Sequence, residues 1–172
     1  MRRASVVLTS LRRSDAPRLL AWINDREQVL FNAPYAPVHE RQHARWFDGL
    51  ETRRDAVIFG IRRRAGARLI GVCQLLSISP LHRSAELQIR IGDPAARNHG
   101  LGTQAVRSLV DFAFRDLNLN RVSLHVFASN RRAIRAYENA GFTREGRLRQ
   151  AAHIDGAYVD VVVMGILRSD VR

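Results

Sequence analysis

The sequence predicts a mixed α/β domain: one sheet of about seven strands with helices on both faces. Three observations point there. Strand-like apolar runs open and close the chain, and helical spacing is inserted between them. Residues 68–78 (RLIGVCQLLSI) form a continuous apolar run of the kind that a sheet buries on both faces. The length of 172 residues suits one domain over 1–172, and roughly 70% burial of the unfolded surface makes a disulfide or metal staple unnecessary.

Each element has its own signal. Residues 4–9 (ASVVLT) read as the first strand. Asp15 to Asp25 carry Leu19, Leu20, Trp22 and Ile23 at helical spacing, with Pro17 tolerated in the first turn. Two prolines make 31–38 (FNAPYAPV) a loop, and with Tyr35 it is placed either to wall an acceptor site or simply to cover surface. Helical spacing resumes from His39 to Leu50, where Trp46 and Phe47 read as packing residues. Strands follow at 56–61, 68–78 and 84–92, the last alternating apolar and polar. A turn at Gly92 to Pro94 and a glycine-containing loop lead to a helix from about Leu101 to Leu117. Strand 121–127, helix 130–140 and strands near 142–150 and 157–167 complete the chain, the last two joined by Asp155-Gly156.

Composition removes several function classes. Apolar residues make up 46% and charged residues 26%, so neither a disordered tail nor a collagen-like chain fits. No apolar run reaches the roughly 18 residues of a membrane helix, and the start of the chain lacks a signal-peptide apolar core. Cys73 is the one cysteine, cannot form an internal disulfide, and makes a reducing cytoplasm the default setting. It reads as a small buried hydrophobe, with no adjacent base to activate it. His39 and His43 stand four apart, but no third ligand follows, so no metal is expected. His82, His125 and His153 have no partner visible in the sequence.

Charge is the anomaly. The 28 basic residues outnumber 16 acidic ones, for a net +12, and all 28 are arginine. Complete absence of lysine points to a GC-rich coding bias, yet the excess still favours anionic ligands over polycations. The arginines lack the aromatic interleaving of a single-strand binder, which makes nucleic acid an unfavoured partner.

Chemistry concentrates in Arg97-Asn98-His99-Gly100-Leu101-Gly102-Thr103, between a strand and a helix. Unpaired N–H groups and the helix dipole make that junction an anion site. Gly100 and Gly102 let a diphosphate approach the backbone, and Thr103 offers a hydroxyl. The loop matches neither the Rossmann nor the Walker template, and taken alone it reads equally as a plain flexible cap. About 30 residues on comes Asn130-Arg-Arg-Ala-Ile-Arg-Ala-Tyr137-Glu-Asn-Ala-Gly141-Phe142, with Asn130 as an N-cap, Gly141 as the helix end and Tyr137 two turns after Asn130.

Together these two segments resemble the GCN5-related N-acetyltransferase (GNAT) superfamily, the loop its pyrophosphate motif and the helix its Asn…Tyr…Gly-Phe motif. The stretch from Ala85-Glu-Leu-Gln-Ile-Arg-Ile-Gly through Glu145-Gly-Arg-Leu-Arg to Asp155-Gly-Ala-Tyr-Val-Asp-Val further resembles the ribosomal-protein N-terminal acetyltransferases. The resemblance is specific over about 84–167 and only general before it. It implies a mostly antiparallel sheet that splays between the fourth and fifth strands, with 1–83 as the acceptor half and 84–172 as the half that binds acetyl-CoA. Backbone groups of Ile89 and Ile91 would then pair with the pantetheine arm. Asn98, His99, Gly100, Leu101, Gly102 and Thr103 would hold the pyrophosphate, with Arg97 adding charge. Asn130 would bond the pantetheine region, Ala133 would leave room for it, and Tyr137 would point at the CoA sulfur.

The chemistry asks for the same kinds of group. A free amine attacks a thioester, so a proton must be accepted, an oxyanion stabilised and a thiolate released. A phenol in a tuned site can protonate the thiolate, which suits Tyr137, although a packed aromatic is the alternative. Glu86 shares its strand face with Gln88 and Arg90; it reads either as the proton acceptor or as an ion-pair partner of Arg90 or another arginine. The acceptor implied by the resemblance is a protein N-terminal α-amine, with a small amino sugar or drug-like amine second. A polycation is disfavoured by the charge. A non-catalytic acyl-CoA sensor or a nucleic-acid module on the same scaffold is the rival class. The apolar strand Ala157 to Leu167 allows edge pairing, so a monomer or a homodimer is expected.

Overall fold

Alternating apolar residues produce a single seven-stranded sheet in the order β1-β2-β3-β4-β5-β7-β6 in the computed structural model, which describes residues 5–171. The strands are β1 (Val6–Thr9), β2 (Val57–Arg63), β3 (Leu69–Ser79), β4 (Ser84–Ile91), β5 (Arg121–Phe127), β6 (Thr143–Ile154) and β7 (Ala157–Leu167). Residue 4 of the expected first strand lies outside the described residues. The helices are α1 (Ala16–Ile23), α2 (Arg26–Val29), α3 (Glu40–Asp48), α4 (Leu101–Arg115) and α5 (Arg131–Ala140). None of them is long and apolar enough to cross a membrane.

All strand pairs are antiparallel except β4 and β5, which are parallel. Their pairing covers only Ser84↔Arg121, Ala85↔Val122 and Glu86↔Ser123. Beyond that point β4 continues to Ile91 and β5 to Phe127, so the two strands part. The other edge of β4 stays paired with β3 through Gly71↔Ile91. Past Glu86, β4 therefore presents backbone N–H and C=O groups to an open wedge.

One side of the sheet packs on α4, whose Ala105, Val106, Leu109, Val110 and Ala113 are buried against Leu87, Val122, Leu124 and Met164. The other side carries α1, held through Leu19, Trp22 and Leu69. Gly92 makes that contact possible: a Cβ there would lie 2.0 Å from the Trp22 ring. A buried ion pair, Arg62 to Asp15 at 2.6 Å, fixes the start of α1 to β2, and Thr9 and the Ala67 carbonyl complete the guanidinium's partners.

The sequence places a helix over Asp15 to Asp25 and a loop from residue 31; the structure ends that helix at Ile23 and adds a separate turn of helix, α2, in the stretch left unassigned. Asn24 closes α1, and Asp25 caps α2 by accepting from the Gln28 backbone N–H at 3.2 Å. β6 also runs further than expected, to Ile154, with shifts in register against β7.

Candidate active site

The loop at 97–103 is shaped by backbone conformation. Asn98 and Gly100 adopt left-handed φ values of 63° and 70°, which curl the chain into the first turn of α4. Gly100 is the N-cap, and no side chain caps the helix, so the first N–H groups of α4 have no side-chain partner. Nothing stands within 4 Å of a Cβ placed on Gly100, and on Gly102 only Ile91 Cγ1 does, at 3.6 Å. The open backbone and unpaired donors suit an anionic, elongated group such as a diphosphate.

A cleft of about 170 Å³ runs from this loop along the end of β4, between it and α5. Of the residues singled out from the sequence, Ile89, Ile91, Arg97, Asn98, Gly100, Gly102, Thr103, Asn130, Ala133 and Tyr137 all line it. Three do not: His99 is exposed to solvent, the Leu101 side chain is buried in the core, and Glu86 lies elsewhere. Arg97 turns back on its own loop, donating to the Ile91 carbonyl at 3.2 Å and the Gly92 carbonyl at 3.5 Å. The Thr103 hydroxyl reaches the Ala136 carbonyl at 3.5 Å, tying α4 to α5.

Asn130 has two structural bonds. Its side-chain oxygen accepts from the Ala133 N–H at 3.1 Å as the cap of α5, and its amide donates to the Phe31 carbonyl at 3.3 Å. That second bond anchors the 31–38 loop to the cleft. Asn24 grips the far end of the loop through both the N–H and the carbonyl of Val38.

Tyr137 is 6% exposed, with its ring 6.0 Å from that of Phe142. Among the described residues its hydroxyl has no hydrogen-bond partner, and it borders the cleft. Burial pushes its pKa up to about 12, so the phenol keeps its proton at neutral pH and can only donate it.

A second cavity, of about 740 Å³, meets the first at Phe31, Asn32, Ile89, Arg90 and Tyr137. It opens on the α1 side of the sheet. Glu86 lines this cavity rather than the cleft, and its expected ion pair with an arginine is not formed. Its neighbour is the His125 ring across the β4–β5 junction, Nδ1 to Oε1 at 3.7 Å. Sequence reasoning missed His125 because only the parallel pairing of two distant strands brings it there. Trp46 is likewise a wall of this cavity, 38% exposed and 5.1 Å from the His43 ring, while Phe47 is the packing residue. Burial lowers the pKa of His43, which favours the neutral ring. Cys73 is buried, and burial pushes its thiol up to about 12, which leaves it inert. Among the described residues no three His, Cys, Asp or Glu side chains gather as metal ligands.

A loop with uncapped helix N–H groups, a wedge with free strand edge and a buried phenol thus open on a roomier chamber. Comparison with known proteins agrees with that arrangement. A family model described as an acetyltransferase (GNAT) domain matches residues 5–143. The chain is 33% identical to a spermidine N(1)-acetyltransferase of Vibrio cholerae over 175 residues, 96% of this chain and 95% of the relative. The crystal structure of spermidine N-acetyltransferase from Vibrio cholerae in complex with CoA and spermine is similar at a TM-score of 0.89, with 30% identity and 98% of both chains covered. A dodecameric structure of the Vibrio cholerae enzyme in an intermediate state is similar at 0.82, with 29% identity over 97% of this chain and 96% of that one. The chain belongs to the GNAT acetyltransferase family and is an acetyl-CoA-dependent N-acetyltransferase.

Proposed function

We propose that the protein transfers the acetyl group of acetyl-CoA directly to a small primary amine held in the larger cavity. The observation that carries this reading is the meeting of two cavities at Ile89, Arg90 and Tyr137, one suited to the cofactor and one to the acceptor. The names of the relatives favour a small amine such as spermidine over the protein N-terminus that the sequence resemblance suggested. The walled cavity supports the same choice, since the 31–38 loop is pinned at both ends by Asn24 and Asn130.

Each residue then has a part. Backbone N–H groups from Asn98 to Thr103 hold the pyrophosphate. Free strand-edge groups at Ile89 and Ile91 align the pantetheine arm and donate to the thioester carbonyl as negative charge develops there. Tyr137 gives its proton to the departing sulfur; burial makes the phenol a weaker acid than free tyrosine, so the proton moves as the C–S bond breaks and charge builds on sulfur. Glu86, beside His125, takes the proton of the amine through water. A cytoplasmic setting fits a protein that uses acetyl-CoA. The dodecameric relative favours an assembly larger than the monomer or dimer expected from the sequence.

The test is initial-rate thiol release with acetyl-CoA against spermidine, simple monoamines, amino acids, amino sugars and peptides with free N-termini. Turnover with small amines at least tenfold above peptides supports the reading. A preference for peptides restores the N-terminal acceptor.

A further inference from the structure

The acceptor cavity has an unusual charge pattern for an enzyme whose relatives act on a polyamine. Two carboxylates line it, Asp55 and Glu86. Asp55 is already held by Arg53 through two bonds of 3.3 Å, and Glu86 faces His125. The other polar walls, Asn32, Gln42, His43, Gln74, Ser77 and Gln88, add no carboxylate, and burial favours the neutral ring of His43. Arg90 remains. Among the described residues its guanidinium has no hydrogen bond and no carboxylate within 4.0 Å. Asp25 attracts it only at longer range, with its own oxygens taken by the Gln28 backbone and side-chain amides.

Position on the strand says which cavity this cation serves. Side chains alternate along β4, so Glu86, Gln88 and Arg90 share one face while Ile89 and Ile91 share the other. Ile91 approaches Gly102 of the phosphate loop. Arg90 therefore leaves the strand on the face of the acceptor cavity, and it borders the cofactor cleft where the two cavities meet. The other cleft arginines are engaged: Arg97 with two carbonyls, and Arg132 over the Phe31 ring at 5.8 Å. A partly buried guanidinium that neither carboxylate of the chamber pairs with is a binding group for an anion.

Resting on the proposed transfer to a small amine, we infer that the acceptor carries an oxyanion, a carboxylate or a phosphate, which Arg90 grips while the amine faces the thioester. Glu86 then serves the single reacting amine. A polyamine fits poorly, because its second ammonium would meet Arg90 and find no carboxylate besides Glu86, which serves the reacting amine, and Asp55, which Arg53 holds.

The experiment compares kcat/KM for acceptors matched in length: 4-aminobutanoate against 1,4-diaminobutane, and O-phosphoethanolamine against ethanolamine. It uses the full chain and its Arg90→Gln and Arg90→Lys variants, with acetyl-CoA affinity measured by calorimetry. The wild type prefers one anionic acceptor by about tenfold or more, as a charge-assisted bond provides. The favoured pair tells carboxylate from phosphate. In Arg90→Gln that ratio falls about tenfold while acetyl-CoA affinity holds; Arg90→Lys retains part of the ratio and covers the case in which Arg90→Gln fails to fold. Better turnover of 1,4-diaminobutane by the wild type overturns the inference and leaves the acetyltransferase reading standing. So does an unchanged ratio in Arg90→Gln with weakened acetyl-CoA binding, which would give Arg90 to the cofactor. If no amine turns over, calorimetric binding of the same four compounds to the CoA-loaded protein decides. Absence of preference for the anionic members there refutes the oxyanion site, whereas preference without turnover upholds it and refutes the small-amine transfer.

Discussion

Replacing Tyr137 with phenylalanine separates chemistry from packing more cleanly than any other change in this site. The phenol is 6% exposed, its ring rests near Phe142, and no described residue hydrogen-bonds its hydroxyl. Removal of the oxygen therefore breaks no internal bond and leaves no buried group unpaired, so the folding free energy changes by less than about 1 kcal/mol. For a domain of this size that is a shift of less than about 4 °C in Tm. Acetyl-CoA binding stays within about threefold, since the cleft keeps its shape. The leaving thiolate, in contrast, loses its proton donor, which costs about 10²- to 10⁴-fold in kcat, or roughly 3–5 kcal/mol of barrier. Colorimetric thiol capture at saturating acceptor measures kcat, and calorimetry and thermal melting measure the two controls. A kcat within threefold of wild type refutes the donor role. A tenfold loss of acetyl-CoA affinity with a lowered Tm would make Tyr137 a packing residue.

Four further outcomes follow from the geometry. Gly100→Val forces a side chain onto a φ of 70° at the mouth of the phosphate loop, at a cost of about 1–2 kcal/mol, so calorimetry finds acetyl-CoA bound at least about tenfold more weakly. Glu86→Gln lowers kcat by about 10²-fold, as read from initial rates at saturating acceptor and neutral pH. Asp15→Ala strands the Arg62 guanidinium in a buried site and lowers unfolding free energy by about 3–5 kcal/mol in urea titrations. Alkaline stability falls between about pH 9 and 12: Cys73 and Tyr137 hold protons in the folded chain that the unfolded chain has lost, so each removes about 1.4 kcal/mol per pH unit across its window.

Much of this site is legible in the sequence, for identifiable reasons. Gly100 and Gly102 stand where a helix opens after a strand, and that local pattern needs no tertiary information. Asn130 and Tyr137 lie two turns apart on one helix, so their spacing alone predicts that they share a face. β5 and β7 match the expected bounds because both alternate or run apolar between clear breaks. Other features depend on contacts between distant segments. His125 meets Glu86 only through the short parallel pairing of β4 with β5. Trp46 reads as core by helical spacing, yet α3 turns it to the cavity while Phe47 packs. α2 is a single turn held by the Asp25 cap, too short to show periodicity. Arg97 carries the right charge for a phosphate, but its guanidinium is close enough to the Ile91 and Gly92 carbonyls to brace the loop instead. The net +12 argues against a polycation at long range, whereas the relatives are named as polyamine enzymes. Total charge and the charge of one chamber are different quantities, and only the structure isolates Arg90.

The central claim is direct acetyl transfer from CoA to a small amine across the meeting point of the two cavities. Its most direct test is mass spectrometry of the amine after incubation with acetyl-CoA and enzyme, with released CoA counted in the same sample. The account predicts one acetyl group added to the acceptor nitrogen for each CoA released. Release of CoA with no acetylated small amine, or acetylation confined to peptide N-termini, would contradict it.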